Sequence, residues 1–330
     1  MRVPVKSMLG IALSILSSMS FAAEPSVLEL VTSILLPGVK GRIDHLSIDV
    51  EKARLFVAAL GNNSVEVIDL KARRLERSLG GFGEPQGVLY LSAGNRLYVA
   101  NGSADRVDLL EAASLTLKKR FTGLSDADNV RFDAAAGKVY VGYGRGALRV
   151  IDVASETLVA NIALAGHPES FQLEGAGTRI FVNVPTANQI AVVDRAKNEV
   201  VATWPTLGAA SNFPMSLDET NHRLFVGARR PAVMLVYDTT NGKVGARVPI
   251  AADTDDLFYD VARKRVYVIC GEGTIDVFRQ ATPDQYAMVE RIRTAPRART
   301  GLFVAGLSQL YVAAPAADGN PARILIYDIH

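Results

Sequence analysis

With 330 residues, a formal net charge of +2 and 21% charged residues, the chain has neither the basic excess of a polyanion binder nor an acidic tail. Aromatic residues make up 7% and do not interleave with a basic stripe, so nucleic acid is not expected as a partner. Cys270 is the only cysteine, which excludes an intrachain disulfide and leaves β-ladders and apolar packing to hold the fold.

Residues 1–22 read as a removable leader. Arg2 and Lys6 give a positive start, Met8 to Met19 a short apolar run, and Ser20 and Ala22 small residues where a signal peptidase cuts. The run is too short to span a bilayer, and no later stretch stays apolar for ~20 residues, so no membrane span is expected. Residues 23–330 are expected to form one domain, monomeric, periplasmic or secreted after cleavage near Ala22.

Val27 to Leu36, ended by Pro37-Gly38, does not resemble the start of a repeat. It resembles the segment that follows the second hairpin strand elsewhere, such as Glu156 to Leu164. Arg54 to Ala59 then reads as a strand, Leu60-Gly-Asn-Asn63 as a tight turn tolerating positive φ, and Ser64 to Asp69 as a second strand. Six further copies start at Arg96, Lys138, Arg179, Arg223, Arg265 and Gln309. Their anchors, with that of the first, are Val57, Val99, Val141, Val182, Val226, Val268 and Val312, in steps of 42, 42, 41, 44, 42 and 44 residues. A fixed period in the forties built from short strands predicts an all-β, seven-bladed β-propeller. The last copy ends near Asp328 without an outer strand, so strand 27–35 is expected to complete the last blade and close the ring.

An inner strand is expected about a dozen residues before each anchor, as in His45 to Asp49 or Asn129 to Asp133. Its alternating pairs (Leu46/Ile48, Val130/Phe132, Leu257/Tyr259) are expected to pack on the next blade. The turns entering these strands share one end of the channel with the hairpin turns, and they are rich in ionisable groups. They bring Arg42, Asp44 and His45; Asp128 and Asn129; His167 and Glu169; Asn212; Asp255 and Asp256; Arg297 and Arg299. Such a set can bind a polar ligand or hold a divalent cation. It also offers a carboxylate base, with Arg297 or Arg299 stabilising an oxyanion. The same residue types also suit turns and ion pairs. Three of Asp44, His45, Asp128, Glu169, Asp255 and Asp256 around one point would favour metal-assisted chemistry; pairing with arginine would favour binding or structure. Cys270 reads as a small buried residue and Trp204 as packing.

The repeat residues Leu97-Tyr-Val-Ala-Asn101, Val139-Tyr-Val-Gly142, Leu55-Phe-Val-Ala58 and Val65-Glu-Val-Ile-Asp-Leu70 resemble the YVTN-repeat β-propellers, the YncE-like exported bacterial proteins, across essentially the whole mature chain. The resemblance implies a binding module that recognises a small polar molecule or a partner protein at the channel mouth. Related seven-bladed propellers include lactonases, so the alternative is a metal-assisted, lactonase-like hydrolase using the rim Asp, Glu and His set.

Overall fold

The alternation of buried and outward residues around each anchor valine produces the expected hairpins. Arg54–Ala59 pairs antiparallel with Ser64–Asp69, setting Val57 opposite Glu66, and the turn between them is a short 3-10 segment closed by Asn63 at φ +53°. All seven anchor valines are fully buried. The structure is a computed structural model describing residues 1, 3–4 and 26–330; apart from those first positions, the expected leader lies outside the described residues.

Among the described residues seven four-stranded antiparallel sheets result, six of them with their strands in chain order from the channel outward. Blades 1 to 6 occupy 46–80, 85–122, 130–163, 171–205, 210–249 and 254–293. Blade 7 takes its three inner strands from 300–329 and its outer strand, Leu28–Leu35, from the other end of the chain. The closing ladder pairs Leu28 with Ile329 and Ile34 with Ile324. Every outer ladder carries a register shift at the same place, where one residue of the outer strand has no opposite number. That residue is Glu76, Lys118, Val159, Val201, Gly245 or Val289 in the first six blades, and Val31 in the closing strand. Such bulges increase strand twist and blunt an exposed edge. The closing segment is thus an ordinary fourth strand supplied from a distance.

Apolar clusters join each blade to its neighbours. Leu55 and Val57 of blade 1 share a core with Tyr311 and Ala313 of blade 7, while Phe56 and Val67 meet Val88 and Val99 of blade 2. The pairs Leu46/Ile48, Val130/Phe132 and Leu257/Tyr259 pack on the preceding blade and not the next one. The reason is register: Leu46 lies opposite Val57, Val130 opposite Val141 and Leu257 opposite Val268, and directly opposed residues share a face. Cys270 is fully buried, and Trp204 lies between the rings of Phe181 and Tyr237, at 5.3 and 5.9 Å. Among the described residues no helix is long and apolar enough to cross a membrane.

Ile34 is 1% exposed within the core shared by blades 7 and 1, whereas Leu30 of the same strand is 52% exposed. Ile34→Ala is therefore expected to cost about 2–5 kcal/mol and Leu30→Ala within about 0.5 kcal/mol in chemical denaturation. Equal effects would contradict a closing strand built into the ring.

Candidate functional site at the channel mouth

The residues entering the inner strands reach one rim because each blade fixes them at the same ladder position. The amides of Asp44, Asp128 and Glu169 donate to the carbonyls of Ala58, Gly142 and Asn183, each near the end of its blade's second strand. Gly87 lets blade 2 approach this rim closely: a Cβ there would stand 2.2 Å from the Asp128 carbonyl oxygen.

On one side of the mouth the charges are matched. Asp255, buried, accepts from Arg229 Nη2 at 2.6 Å and pairs with Arg299 Nε at 2.9 Å and Arg42 Nη2 at 3.5 Å. Asp253 pairs with Arg299 at 3.0 Å and Arg229 at 3.3 Å, and Asp44 with Arg42 at 2.9 Å. The Arg229 guanidinium also lies 4.1 Å from the centre of the Phe213 ring. Asp256 accepts from the Gly301 amide at 2.9 Å and faces His45 Nδ1 at 3.6 Å, while His45 Nε2 lies 3.8 Å from Asp44. Burial works against a charged imidazole there, but Asp256 and Asp44 outweigh it and raise His45 to about 10. Burial pushes the Asp44 carboxyl up to about 7 against the pull of Arg42 and His45.

On the other side, blades 3 and 4 bring Asp128, His167 and Glu169 together without an arginine in ion-pair contact among the described residues; Arg42 acts on the two carboxylates only from farther off. One ligand atom from each lies within 4.8 Å of the others. Atoms bound to one zinc-like ion at ~2.0–2.2 Å stand roughly 3 Å apart, so these side chains would have to close in around a cation. His167 Nδ1 lies 2.6 Å from the Gly144 carbonyl, to which it donates, and His167 Nε2 lies 4.0 Å from Asp128. That arrangement orients the ring as outer-shell carbonyls orient metal-binding histidines. Burial, then the charge on Asp128, lifts Glu169 to about 8. Asp128 is held below its ordinary value: burial opposes this, and His167 and His45 prevail. Among the described residues, Asp128 Oδ1, Asn129 Oδ1 and Asn212 Oδ1 are buried without a hydrogen-bond partner, as is Asp44 Oδ2 across the mouth, which has only its ion pair with Arg42.

Nine of the twelve expected residues thus meet at the mouth: Arg42, Asp44, His45, Asp128, His167, Glu169, Asp255, Asp256 and Arg299. Arg297 does not join the network. It is exposed at φ +65°, its amide donates to the Gly271 carbonyl, and its side chain forms no ion pair among the described residues. Asn212 reaches sideways, donating to Asn183 Oδ1 at 2.9 Å, and Asn129 is buried beside Asp128. Of the six groups weighed for metal chemistry, only Asp128 and Glu169 join such a cluster, with His167. Three residues went unnoticed in the sequence, Arg131, Gln172 and Phe258, which line a cavity of about 240 Å³ below the rim. The signal for them is the period of two along the inner strands, which turns alternate positions to the opposite face.

No protein-family model matches the chain, and no curated protein matches it. Among solved structures, a chain of Kuenenia stuttgartiensis hydrazine synthase superposes with a TM-score of 0.73 at 15% identity, over 88% of this chain and 97% of that one. A chain of the mitotic checkpoint complex superposes with a TM-score of 0.78 at 13% identity, over 98% of this chain and 99% of that one. At such identities the likeness shows the propeller fold alone.

Removing the charge of Asp255 takes away the one carboxylate shared by three guanidinium groups, leaving Arg229 and Arg299 to Asp253 and Arg42 to Asp44. Asp255→Asn is expected to lower stability by about 3–5 kcal/mol, read by denaturant unfolding; a loss below about 1 kcal/mol would contradict the cage. The folded state binds the His45 proton more tightly than the unfolded chain does. That stabilisation is fully present below pH 6.5 and is lost as pH rises through about 10. Melting temperature is therefore expected to fall between pH 6.5 and 10, less steeply in His45→Gln. Identical slopes would exclude the His45 contribution.

Proposed function

We propose that this chain is a binding module that takes a small polar ligand at the channel mouth, on the side built by blades 3 and 4. The observation that supports this reading is the asymmetry of the rim. Asp255 and Asp44 pair with arginines, whereas among the described residues Asp128 and Glu169 form no ion pair with an arginine, and Asp128 Oδ1 and Asn129 Oδ1 are buried without a hydrogen-bond partner. A buried polar atom without a partner costs about 1–3 kcal/mol, so a cluster of them is a signature of a surface shaped for something else. The recessed position of these atoms favours a small molecule over a partner protein.

The fold does not choose a function by itself, since one superposable chain belongs to a synthase and another to a checkpoint complex. The resemblance to YVTN-repeat, YncE-like propellers supports membership of that family and a periplasmic or secreted setting. A lactonase-like hydrolase is less well supported. Arg299, which would stabilise an oxyanion, is committed to Asp253 and Asp255, and Arg297 is outside the network. A second reading has its own support in the Asp128, His167 and Glu169 cluster: the ligand recruited there is a divalent cation.

Binding is tested by isothermal titration of the purified protein with neutral sugars, small acids and Zn²⁺, Mn²⁺ or Ca²⁺. Glu169→Gln and Asp128→Asn are expected to weaken whatever binds by tenfold or more, with Arg297→Ala unchanged. Equal binding in all variants would move the site elsewhere. Elemental analysis separates the two readings. About one divalent ion per chain, lost in His167→Gln, selects the cation; no bound ion and no uptake on titration rejects it.

A further inference from the structure

Below the rim, His45, Ser47, Arg131, Gln172, Asp256 and Phe258 line a throat. Arg131 is unusual among the arginines near the site. It forms no ion pair among the described residues; only Nη1 donates, to the Val130 carbonyl at 3.0 Å, and the guanidinium lies 5.7 Å from the centre of the buried Phe171 ring. Burial pushes its guanidinium below the ordinary arginine value. The Asp256 and Asp128 carboxylates act on it only from beyond ion-pair reach; a half-buried guanidinium with no anion in contact leaves its donors open to one supplied from outside the chain. Two neighbours keep hydrogen-bonding capacity for that something. Gln172 uses its Nε2 on the Met215 carbonyl at 3.0 Å, leaving Oε1, and Ser47 Oγ accepts from the Tyr90 amide at 2.8 Å, leaving its O–H to donate.

We infer that the throat binds the carboxylate of a small monocarboxylic acid on the Arg131 guanidinium, with Gln172 and Ser47 taking polar groups beside it. The inference rests on the mouth reading, since the ligand enters from that end. A planar fork of N–H donors matches a carboxylate in a bidentate pair. The cavity is smaller than the ~300–1,000 Å³ of sites that take drug-sized ligands, which limits the occupant to a few heavy atoms. The Asp256 carboxylate in the same wall disfavours a second negative charge, so a monoanion fits better than a phosphate dianion.

The test is isothermal titration of the full chain with sodium lactate, sodium glycerate, glucose and inorganic phosphate, together with melting curves without ligand. Lactate or glycerate is expected to bind the wild type and to bind Arg131→Met about 10–100-fold more weakly. Without ligand, Arg131→Met is expected to melt about 2 °C higher, because it removes an unpaired charge. A structural arginine would show the reverse: a lower melting temperature in Arg131→Met, restored by Arg131→Lys, would overturn the inference. So would equal lactate affinity in wild type and Arg131→Met, or phosphate binding more tightly than lactate. If Arg131→Met does not fold, Arg131→Lys keeps the charge without the fork and is expected to bind lactate at least about fivefold more weakly; unchanged affinity overturns the inference. Glucose binding weakened by Glu169→Gln, with no lactate binding, would overturn the throat and leave the mouth reading standing. No binding by any probe would count against both.

Discussion

The structure depends on a single ladder, the pairing of Leu28–Leu35 with Arg323–Ile329. Blades 1 to 6 each complete their own four strands, but blade 7 has three until the start of the described chain returns to it. Without that strand the ring would present an unpaired edge, which invites pairing with other chains. With it, Leu28 enters the core between blades 6 and 7 and Ile34 the core between blades 7 and 1. Closure is therefore a packing event on both sides of the seam as well as a set of hydrogen bonds. It also fixes the channel, because Arg299 and Thr300 of blade 7 stand against Arg42 and Ile43 of blade 1; the Thr300 hydroxyl donates to the Ile43 carbonyl at 3.2 Å.

The rim shows what closure makes available. Arg42, Arg229 and Arg299 come from blades 1, 5 and 7, far apart in sequence, yet they converge on one aspartate. Such a cage is chiefly a structural device: three cations brought this close need buried anions, and Asp255 is shared by all three while Asp253 and Asp44 pair with them from the flanks. Across the mouth the balance is different. Among the described residues, Asp128, His167 and Glu169 have one another, the Gly144 carbonyl and, for His167, Asp126 at 3.4 Å, but no arginine in ion-pair contact, and Arg131 below them has no carboxylate in contact. The carboxylates of the rim that no arginine contacts are thus those of blades 3 and 4.

The period and the seven anchor valines make the architecture legible in the sequence, including the borrowed strand, since packing residues repeat with the units they build. Facing is less legible. That Leu46 and Val130 turn to the preceding blade follows from their opposition to Val57 and Val141, a register that alternation alone does not specify. The rim is legible as a composition but not as a geometry. Arg297 and Arg299 look equivalent two residues apart, yet a left-handed backbone at Arg297 leaves only Arg299 in the cage. Arg131 escapes notice because it sits inside a strand, where its neighbours Val130 and Phe132 announce packing and its own inward direction depends on the ring.

Hydrogen exchange of the full chain, resolved by segment, examines ring closure most directly. If the first described strand is part of the ring, amides of 28–35 and 323–329 open with the same high free energy as the second and third strands of the other blades. Exchange of 28–35 at rates near those of an unfolded chain, with the other blades protected, would contradict closure and separate the rim from the ring said to assemble it.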